Sequence, residues 1–547
     1  MISIGELVLT ALASAAALGL GTFFYHALTC PLRHLPGPKG TSLIYGNLLD
    51  ISMGDNLNSI VEERWVKEYG ETLKFKGFFC SNRLLTTDTC AINHILTHAS
   101  DYGKPSYLRR ALAQILGEGL LFAEGAQHRQ QRRVMNPAFG PAQIRGLTDI
   151  FLAKAIRLRD LWLSEISNAA ISSNGTHVEI MSWLNKMALD VISLVGFNYD
   201  INALGATEKP NELNVAFATV LSAFQEVDVL FALQILIPFF RLIPSDHARK
   251  IQAAQNIVER IGQGLLTKAK AAVLPDAMDK GGIEKGSIHG RDLLTLLVKA
   301  NMATDIPENQ RLSDKDVLAQ VPTFLVAGHE TTSTATTWAL HELSLAPDMQ
   351  MKLREELLSV GTTETPSMDE LSALPYLDAV VKETLRLHPP IVDTMRVAME
   401  DGVLPLEKPF TDKHGVIHEG IRVSKGNVIF IPILVMNRLK KLWGPDAHEF
   451  KPGRWDDLPK VVSNIPGVWG NMLTFLGGPR ACIAYRFAII EMKALLFTLV
   501  RAFEFEPAVR ASQIGKVGIF LQRPILLGDS TNKVQLPLSV KPYQRGD

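Results

Sequence analysis

One cysteine stands in a glycine- and proline-containing loop directly ahead of an apolar helical pattern. The stretch FLGGPRACIAYRF, residues Phe475–Phe487, places Cys482 at the end of that loop. A cysteine sulfur binds metal as the thiolate, and N–H groups at a helix N-terminus stabilise that anion. Gly477 and Gly478 let the backbone pass close beneath a flat cofactor because they carry no side chain, and Arg480 could reach a carboxylate at its edge. The pattern indicates a metal thiolate.

The other three cysteines do not add ligands to this site. Cys30, Cys80 and Cys90 are widely scattered, and the sequence contains no C-x-x-C pair. A structural zinc site or an iron–sulfur cluster is built from several ligands at short spacing, so neither is predicted. A single thiolate beneath a haem iron remains as the interpretation, with an inert core cysteine as the alternative.

The cysteine loop resembles the haem-binding signature of the cytochrome P-450 family, in which an aromatic residue, a glycine, an arginine and the cysteine stand at fixed offsets. Phe475, Gly478, Arg480 and Cys482 match these positions, and Ala484 stands where the family usually has glycine. The resemblance implies that the four matching residues bind haem b (iron protoporphyrin IX), with the Cys482 thiolate as the axial ligand of the iron.

The hexapeptide AGHETT, Ala327–Thr332, is an unusual helix interior. Its small first pair leaves room for a diatomic ligand, Thr331 can hydrogen-bond an oxygen species, and Glu330 can relay protons through water. Taken alone, the same residues also fit a helix kink with an exposed acid and hydroxyl. All defined positions match the central helix of the cytochrome P-450 family. The resemblance gives Thr331 the oxygen-facing role and Glu330 the proton-delivery role.

The segment HRQQRRVMNPAF, His128–Phe139, predicts a short basic helix that ends before Pro137. A solvated basic face is the default interpretation. In the cytochrome P-450 family the corresponding helix carries a tryptophan and, four residues later, an arginine, and both bond a haem propionate. The resemblance gives Arg132 this role and leaves His128, in place of the tryptophan, as a propionate donor or a solvent-facing residue. Arg396 is also implied to bind a propionate, with surface exposure as the alternative.

A charged brace is predicted behind the cysteine loop. Glu383 and Arg386 lie three residues apart in ETLRLHPP, a spacing that permits a salt bridge on one helix face. Exposed pairs of this kind contribute little to stability. The resemblance combines them with Arg454 of FKPGRW into a buried network, although Gly453 stands where the family often has glutamate.

These residues need a long central helix and a helix-rich scaffold to position them. Ser313 followed by Asp316 predicts an N-terminal cap, and the apolar pattern then continues at helical spacing to about Ala346. Residues 55–200 follow mostly helical spacing, with a shorter β-like stretch near 72–87. By resemblance the fold is mainly α with small β-sheets, the cytochrome P-450 fold, with the haem between the long central helix and the cysteine loop.

The N-terminal segment predicts a membrane anchor. Leu7–Leu28 is an uncharged run rich in leucine and alanine, close to the roughly 20 residues that a helix needs to cross a bilayer. A cleaved signal peptide is the alternative, although a basic n-region is missing. Arg33 and Lys39 follow the run, so the positive-inside rule leaves the bulk of the chain in the cytosol.

Prolines and a glycine between residues 31 and 38 stiffen the chain directly after this run. They resemble the proline-rich hinge of membrane-bound family members, with a plain linker as the alternative. We expect residues 1–30 to be a single-pass anchor in the endoplasmic reticulum and residues 31–547 to be a haem-thiolate catalytic domain facing the cytosol. The apolar stretch Val229–Phe240 is too short to span a bilayer and either contacts lipid or packs in the core.

Composition excludes nucleic acid as a partner. Lys plus Arg and Asp plus Glu both total 56, so the basic footprint of a nucleic-acid-binding protein is missing. The resemblance, which is closest to membrane-bound fungal members, implies a monooxygenase that inserts one oxygen atom from O2 into a small apolar substrate. Because the sequence has no glycine fingerprint for a flavin or nicotinamide, electrons would come from a separate reductase. The resemblance implies that this is the NADPH-cytochrome P-450 reductase. Arg129 and Arg133 are candidates for docking it, or ordinary surface charges.

Two other functions stay open. A haem-thiolate isomerase or dehydratase would rearrange peroxides without O2, and the intact pair of Glu330 and Thr331 argues against it. A haem sensor or electron carrier would not need the small residues of the AGHETT helix. Oxygen consumption that depends on NADPH and a reductase separates the three.

Overall fold

The computed structural model describes residues 28–53, 61–168, 176–205, 243–279, 292–302 and 311–544, less 362, 519–520, 530 and 532, together with scattered single positions elsewhere. Contacts group the chain into two compact units. Unit 1 comprises Met1–Pro105, Asp393–Leu439 and Ser463–Pro479, and unit 2 comprises Ser106–Val392, Lys440–Val462 and Arg480–Asp547. The division into an anchor and one catalytic domain stays a prediction.

Unit 1 is built on a five-stranded sheet with the strand order β1-β2-β8-β5-β3. Its strands are β1 (Thr72–Lys76), β2 (Asn82–Thr86), β3 (Tyr102–Gly103), β5 (Thr394–Ala398) and β8 (Val428–Ile431), and a separate hairpin is formed by β6 (Gly402–Thr411) and β7 (Ile417–Val423). The helices of unit 1 are α1 (Leu48–Met53), α2 (Val61–Tyr69), α3 (Thr89–Thr97) and α14 (Ile433–Met436). β2 and β8 are parallel, and the other neighbours are antiparallel.

An aromatic cluster forms the core of unit 1. Phe75 of β1 is fully buried and stacks on Trp65 of α2, with ring centroids 5.8 Å apart. Its other neighbour is Phe430 of β8, which meets it edge to face at 5.5 Å. Side chains on a strand alternate between its two faces, so Leu73 and Phe75 share the buried face of β1. The β-like stretch predicted near 72–87 is confirmed as the β1–β2 hairpin.

Unit 2 holds the long helices. They are α4 (Ser106–Leu116), α5 (Gly125–Met135), α6 (Pro141–Asn168), α7 (Ile180–Phe197), α8 (Asp246–Asp279), α9 (Leu293–Met302), α10 (Asp314–Leu345), α11 (Pro347–Ser359), α12 (Met368–Ser372), α13 (Pro375–Leu387), α15 (Lys440–Trp443) and α16 (Tyr485–Ala502). Two small sheets accompany them, β4 (Thr176–Glu179) with β12 (Pro537–Pro542) and β9 (Phe503–Pro507), and β10 (Ile514–Val517) with β11 (Arg523–Leu526).

The central helix α10 begins and ends where the sequence predicts. The Ser313 side chain accepts from the N–H of Asp316, and the Asp316 side chain accepts from the N–H of Ser313, which is a capping box. The helix ends at Leu345 because Pro347 restricts the residue before it. Of the described helices, α7 makes the most extensive contact with α10, and α6 packs against α16.

The predicted fold class, mainly α with small β-sheets, is confirmed. The predicted anchor Leu7–Leu28 lies almost entirely outside the described residues, and so does most of Val229–Phe240. Within the described part of the chain, α7 has the length and hydropathy to cross a membrane, but 72% of it is buried inside the protein. Its contact with α10 makes it a core helix of unit 2.

Candidate active site

Cys482 lies just ahead of a helix N-terminus, as predicted. α16 begins at Tyr485, and the N–H of Ala484 donates to the Cys482 sulfur. Arg132 adds positive potential at the same atom, and both effects favour the thiolate. Ala484 has φ −98°, a value that any residue adopts. The alanine that replaces the usual glycine therefore causes no backbone strain.

Burial and neighbouring groups act in opposite directions on the Cys482 thiol. Burial is the largest influence and raises the pKa of the thiol above its ordinary value, against the lowering effects of Ala484 and Arg132. The residue itself keeps exposed surface. A bound cation removes the proton of a coordinating thiol outright, so this donor set fits the haem iron that the loop sequence implies.

Two arginines lie at the cysteine loop within unit 2. Arg132 of α5 donates through Nη1 to the carbonyl of Ala481, the residue before Cys482. Arg480 pairs with Glu124 at the start of α5. Burial lowers the pKa of both guanidinium groups, and the nearby Cys482 and Glu124 act against that shift. The propionate-binding roles of both arginines stay predictions.

The helix that carries Arg132 resolves one of the alternatives for His128. α5 ends at Met135, before Pro137, as predicted. His128 is buried, with 7% of its surface exposed, so the solvent-facing alternative is wrong. Arg129 and Arg133 are exposed. α5 therefore turns His128 toward the protein interior and these two arginines toward solvent.

The first half of the cysteine loop belongs to unit 1 and is anchored there by Asn437. The Asn437 side chain donates to Thr474 Oγ1 at 2.8 Å and accepts from the N–H of Leu473 at 3.0 Å. The Phe475 ring meets Trp469 edge to face at 5.8 Å. The hydrogen bonds of Asn437 fix the backbone next to Phe475, and the contact with Trp469 fixes its ring.

Gly477 and Gly478 are required by contacts inside unit 1. A Cβ on Gly477 would lie 1.8 Å from the carbonyl oxygen of Pro466, and one on Gly478 would lie 2.3 Å from that of Leu96. Gly478 also has φ +69°, which disfavours any side chain. On sequence grounds, these glycines let the backbone pass beneath a cofactor. The close approach of other backbone segments is a second reason why side chains are excluded at both positions.

Arg396 lies on β5 of unit 1. It is 3% exposed, so surface exposure, the alternative to a propionate-binding role, is wrong. Its Nη1 donates to Thr394 Oγ1 and to the carbonyl of Met395, both at 2.8 Å. The guanidinium is thus held close to its own strand, and its role toward a propionate stays a prediction.

The AGHETT hexapeptide lies in the middle of α10. Thr331 Oγ1 donates to the carbonyl of Ala327 at 2.7 Å. Gly328 faces α7, where a Cβ would come within 2.7 Å of Ile192 Cγ1, so the missing side chain lets the two helices pack closely. α10 also packs against α16, the helix that follows Cys482. The hexapeptide and the cysteine therefore belong to adjoining parts of unit 2.

Glu330 is a buried acid held between two basic side chains. It is 7% exposed, so the exposed-acid alternative is wrong. His329 Nε2 lies 3.6 Å from Oε1, and Arg523 Nε of β11 lies 3.5 Å from Oε2. Burial alone would raise the pKa of Glu330, but His329 and Arg523 outweigh it and the pKa lies below its ordinary value. Glu330 is therefore ionised at neutral pH and able to accept a proton.

The predicted buried network of Glu383, Arg386 and Arg454 is confirmed, and its support of the cysteine loop stays a prediction. Arg386 donates through Nε and Nη2 to the two carboxylate oxygens of Glu383, at 2.9 and 2.8 Å, and Arg454 Nε donates to Oε1 at 3.2 Å. Trp455 Nε1 adds a bond at 3.1 Å. Glu383 and Arg386 have no exposed surface. A carboxylate this deeply buried is stable only because several donors satisfy it.

Gly453 leaves Arg454 in position. No atom lies within 4 Å of the place where a Cβ on Gly453 would stand, so this residue takes no part in the network. Arg454 Nη1 instead donates to Asp446 Oδ1 at 2.6 Å. Arg454 and Lys451 lower the pKa of Asp446 to about 2. Asp446 provides the second carboxylate for Arg454.

Sequence reasoning missed three partners of the site residues. They are His329 and Arg523 beside Glu330, and Glu124 beside Arg480. His329 was detectable, since it lies inside the hexapeptide. Arg523 lies far from the hexapeptide in sequence, and no local pattern connects the two. Only the placement of β11 beside α10 reveals this pair.

Comparisons with known proteins agree with these observations. A sequence model of the family described as Cytochrome P450 matches residues 35–525. Cytochrome P450 monooxygenase 205 of Postia placenta is 55% identical, with 94% of each chain covered. Cytochrome P450 monooxygenase 128 of the same fungus is 50% identical, over 97% of this chain and 96% of its own. Cytochrome P450 monooxygenase claO of Ampulloclitocybe clavipes is 34% identical, with 93% of each chain covered.

Proposed function

The chain belongs to the cytochrome P450 family, and from that premise we propose that it is a haem-b-dependent monooxygenase of apolar organic substrates. One oxygen atom from O2 enters the substrate. Electrons come from a separate NADPH-cytochrome P-450 reductase. The protein is a single-pass membrane protein of the endoplasmic reticulum, with its catalytic part in the cytosol.

The observation that carries this proposal is the buried acid on α10 and the hydroxyl that follows it. Glu330 is ionised although it is almost fully buried, because His329 and Arg523 favour the carboxylate. Thr331 follows it directly, on a helix that packs against the helix after Cys482. A buried proton-exchanging group beside a hydroxyl suits the stepwise protonation of oxygen. Isomerisation or electron transfer would not need it.

We assign the cofactor contacts by residue. Cys482 would hold the haem iron as a thiolate, stabilised by the Ala484 N–H and by Arg132. When bound, the haem supplies O2 binding, and its electron-donating thiolate favours O–O cleavage. Phe475 and Gly478, which belong to the cysteine loop, would contact the haem. By the family resemblance, the propionates would be bound by Arg132, Arg396, Arg480 and His128.

The protein side chains would manage the protons. Thr331 Oγ1, which donates to the Ala327 carbonyl, would turn to the oxygen species and donate to it. Glu330 would take a proton from water and pass it toward Thr331. The buried position of Glu330 limits exchange with bulk water, so protons would arrive one at a time.

The direct test is Thr331→Ala in the reductase-reconstituted enzyme. We expect product per O2 consumed to fall by about tenfold or more and hydrogen peroxide to rise, because the hydroxyl that controls protonation is gone. Thr336→Ala is the matched control, since Thr336 lies on the same helix, is buried and makes the same backbone bond, to Thr332. Equal coupling in both variants would contradict the assignment.

The cofactor, electron source and substrate need separate measurements. Reduction under carbon monoxide should give the red-shifted Soret absorption of a haem thiolate, and Cys482→Ser should abolish it. NADPH consumption without any reductase would refute the separate electron source. A substrate-induced spin-state screen across terpenoids, fatty acids, steroids and aromatic hydrocarbons would identify the substrate class.

A further inference from the structure

A buried histidine at the end of α13 connects three elements of unit 2. His388 follows this helix directly and is 7% exposed. Its Nε2 lies 2.6 Å from Glu342 Oε1 of α10, and its Nδ1 lies 3.3 Å from Lys516 Nζ of β10. The ring also stacks on Trp338 of α10, with centroids 4.7 Å apart and an interplanar angle of 7°. His388 therefore links α13, α10 and the hairpin formed by β10 and β11.

The partners of His388 decide which ring nitrogen carries the proton. A lysine ammonium only donates hydrogen bonds, so Nδ1 accepts from Lys516, and the proton of the neutral ring is on Nε2, which donates to Glu342. Lys516 is held a second time by Trp338, whose ring centroid lies 5.0 Å from Nζ. Nearby His341 stays neutral at pH 7, because burial lowers its pKa and outweighs the effect of Glu342. The neutral imidazole of His388 thus bridges a cation and a carboxylate that belong to different elements.

The hairpin depends on side-chain contacts for its position. β10 and β11 form a two-stranded sheet of their own, and an isolated two-stranded hairpin is marginally stable in water. Lys516 directly precedes Val517, which is the register partner of Arg523. The contact of Lys516 with His388 therefore fixes β10 next to the strand position that carries Arg523.

The segment that follows His388 adds contacts to the other strand of the hairpin. The carbonyl of Pro390 accepts from the N–H of Gln522 at 2.9 Å, and the carbonyl of Gln522 accepts from Trp338 Nε1 at 3.4 Å. Gln522 directly precedes Arg523, the first residue of β11. His388 and its neighbours thus hold both strands of the hairpin against α10.

The position of the hairpin matters for Glu330. Arg523 Nε lies 3.5 Å from Glu330 Oε2, a separation longer than that of a direct hydrogen bond. The attraction between two charges weakens as their distance grows, and Arg523 is one of the groups that keep Glu330 ionised. A hairpin that moves away from α10 would therefore weaken this support.

We propose that His388 is a positioning residue for the oxygen reaction: its imidazole bridges Lys516 to Glu342 and so holds the hairpin that keeps Arg523 beside Glu330. The link to the reaction rests on the proposed monooxygenase function, whereas the bridge itself does not. The two parts are tested separately.

The first test is hydrogen–deuterium exchange of the full-length holoprotein, read by mass spectrometry, and it does not depend on turnover. His388→Leu removes both polar contacts of the ring, so we expect the amides of β10 and β11 to exchange about tenfold faster. His388→Gln keeps one acceptor and one donor in its amide, and its hairpin should exchange within about twofold of the wild-type rate.

Two further variants complete the exchange experiment. Lys516→Met removes the same contact from the hairpin side and should match His388→Leu, which keeps the test available if His388→Leu does not fold. His418→Leu breaks another histidine–carboxylate pair, with Asp412 in unit 1, and as the control it should leave the exchange of the hairpin unchanged. Wild-type exchange of β10 and β11 in folded His388→Leu or Lys516→Met would overturn the proposal.

The second test determines whether His388 acts through Arg523. In the reductase-reconstituted enzyme, His388→Leu should move the acid limb of product per O2 to higher pH, because Arg523 then favours the Glu330 carboxylate less. His388→Leu combined with Arg523→Gln should shift this limb no further than Arg523→Gln alone, since both changes weaken one ion pair. Additive shifts would overturn the route through Arg523. Faster exchange with wild-type coupling profiles in all three variants would instead refute the proposed role of Glu330, and with it the link of the bridge to the reaction.

Discussion

At the scale of single residues, the protonation of the site depends on whether neighbouring groups offset the effect of burial on each pKa. Burial raises the pKa of Cys482 and Glu491. Glu330 differs because basic side chains reverse the effect. The residues beside each acid therefore decide whether it is ionised, and the sequence motif alone does not.

Arg523→Gln tests this dependence at Glu330. It removes one of the charges that favour the carboxylate, so the pKa of Glu330 rises. A group with a lowered pKa is ionised at all higher pH values, and the variant loses that ionised form sooner as pH falls. We expect the acid limb of the coupling profile, measured as product per O2, to move to higher pH.

The control for this prediction is Lys541→Gln. Lys541 also pairs with a glutamate, Glu506, but on the surface of the small sheet that includes β12. Exposed pairs contribute little, so its coupling profile should coincide with that of the wild type. An Arg523→Gln profile that also coincides would show that Glu330 does not control coupling.

At the scale of elements, a few polar groups fix the loops around the cysteine. The brace holds α13 to the segment at Arg454 through Glu383, which has no exposed surface. The glycine half of the loop is fixed by the close approach of Leu96 and Pro466. Loops lack the regular hydrogen bonding of helices and strands, so these contacts determine their shape.

Glu383→Gln should destabilise the fold strongly. The change leaves two buried guanidinium groups facing a neutral amide, and breaking a buried ion network costs about 3–5 kcal/mol. We expect a lower urea midpoint and a reduced ratio of haem to protein. Arg145→Gln, which breaks the exposed pair of Arg145 and Asp369, should change the free energy of unfolding by less than about 1 kcal/mol. Similar losses of stability in Glu383→Gln and Arg145→Gln would show that the buried network contributes no more to stability than an exposed ion pair does.

Gly478→Ala should distort the cysteine loop. Its positive φ and the 2.3 Å approach to the Leu96 carbonyl leave no room for a methyl group, so we expect a loss of about 2 kcal/mol and weaker haem retention. Gly453→Ala is the matched control, because nothing lies within 4 Å of the new methyl group. Thermal unfolding of the two holoproteins compares them, and a Gly478→Ala variant as stable as Gly453→Ala would be inconsistent with the structure.

At the scale of the whole molecule, the two compact units interleave along the chain. Each unit is assembled from three separate segments, and the cysteine loop crosses from unit 1 to unit 2 between Pro479 and Arg480. Gly477 and Gly478 are thus fixed by contacts within unit 1, whereas Cys482 and the Ala484 N–H belong to unit 2.

The proposed membrane association is also a property of the whole chain. If Val229–Phe240 contacts lipid, we expect deletion of residues 1–30 to weaken binding to liposomes without abolishing it. In the deleted form, Phe239→Ser with Phe240→Ser should reduce flotation further. Val403→Ser, at an exposed apolar residue of β6, is the control. Flotation that the double variant leaves unchanged would favour core packing of this stretch.

The sequence alone determined the local features of this protein. The cap at Ser313 and the apolar spacing predicted the ends of α10, the β-like stretch near 72–87 predicted the β1–β2 hairpin, and the cysteine loop and hexapeptide identified the family. These signals are local because caps, strand alternation and loop glycines act over a few residues.

Tertiary structure decided the electrostatics. Arg523 beside Glu330, Arg454 beside Glu383, and Thr332 against Glu491 join residues far apart in sequence. Burial and neighbouring charge act through space, and both depend on which helices and strands pack together. The ionisation of each acid could therefore be known only once the chain was folded.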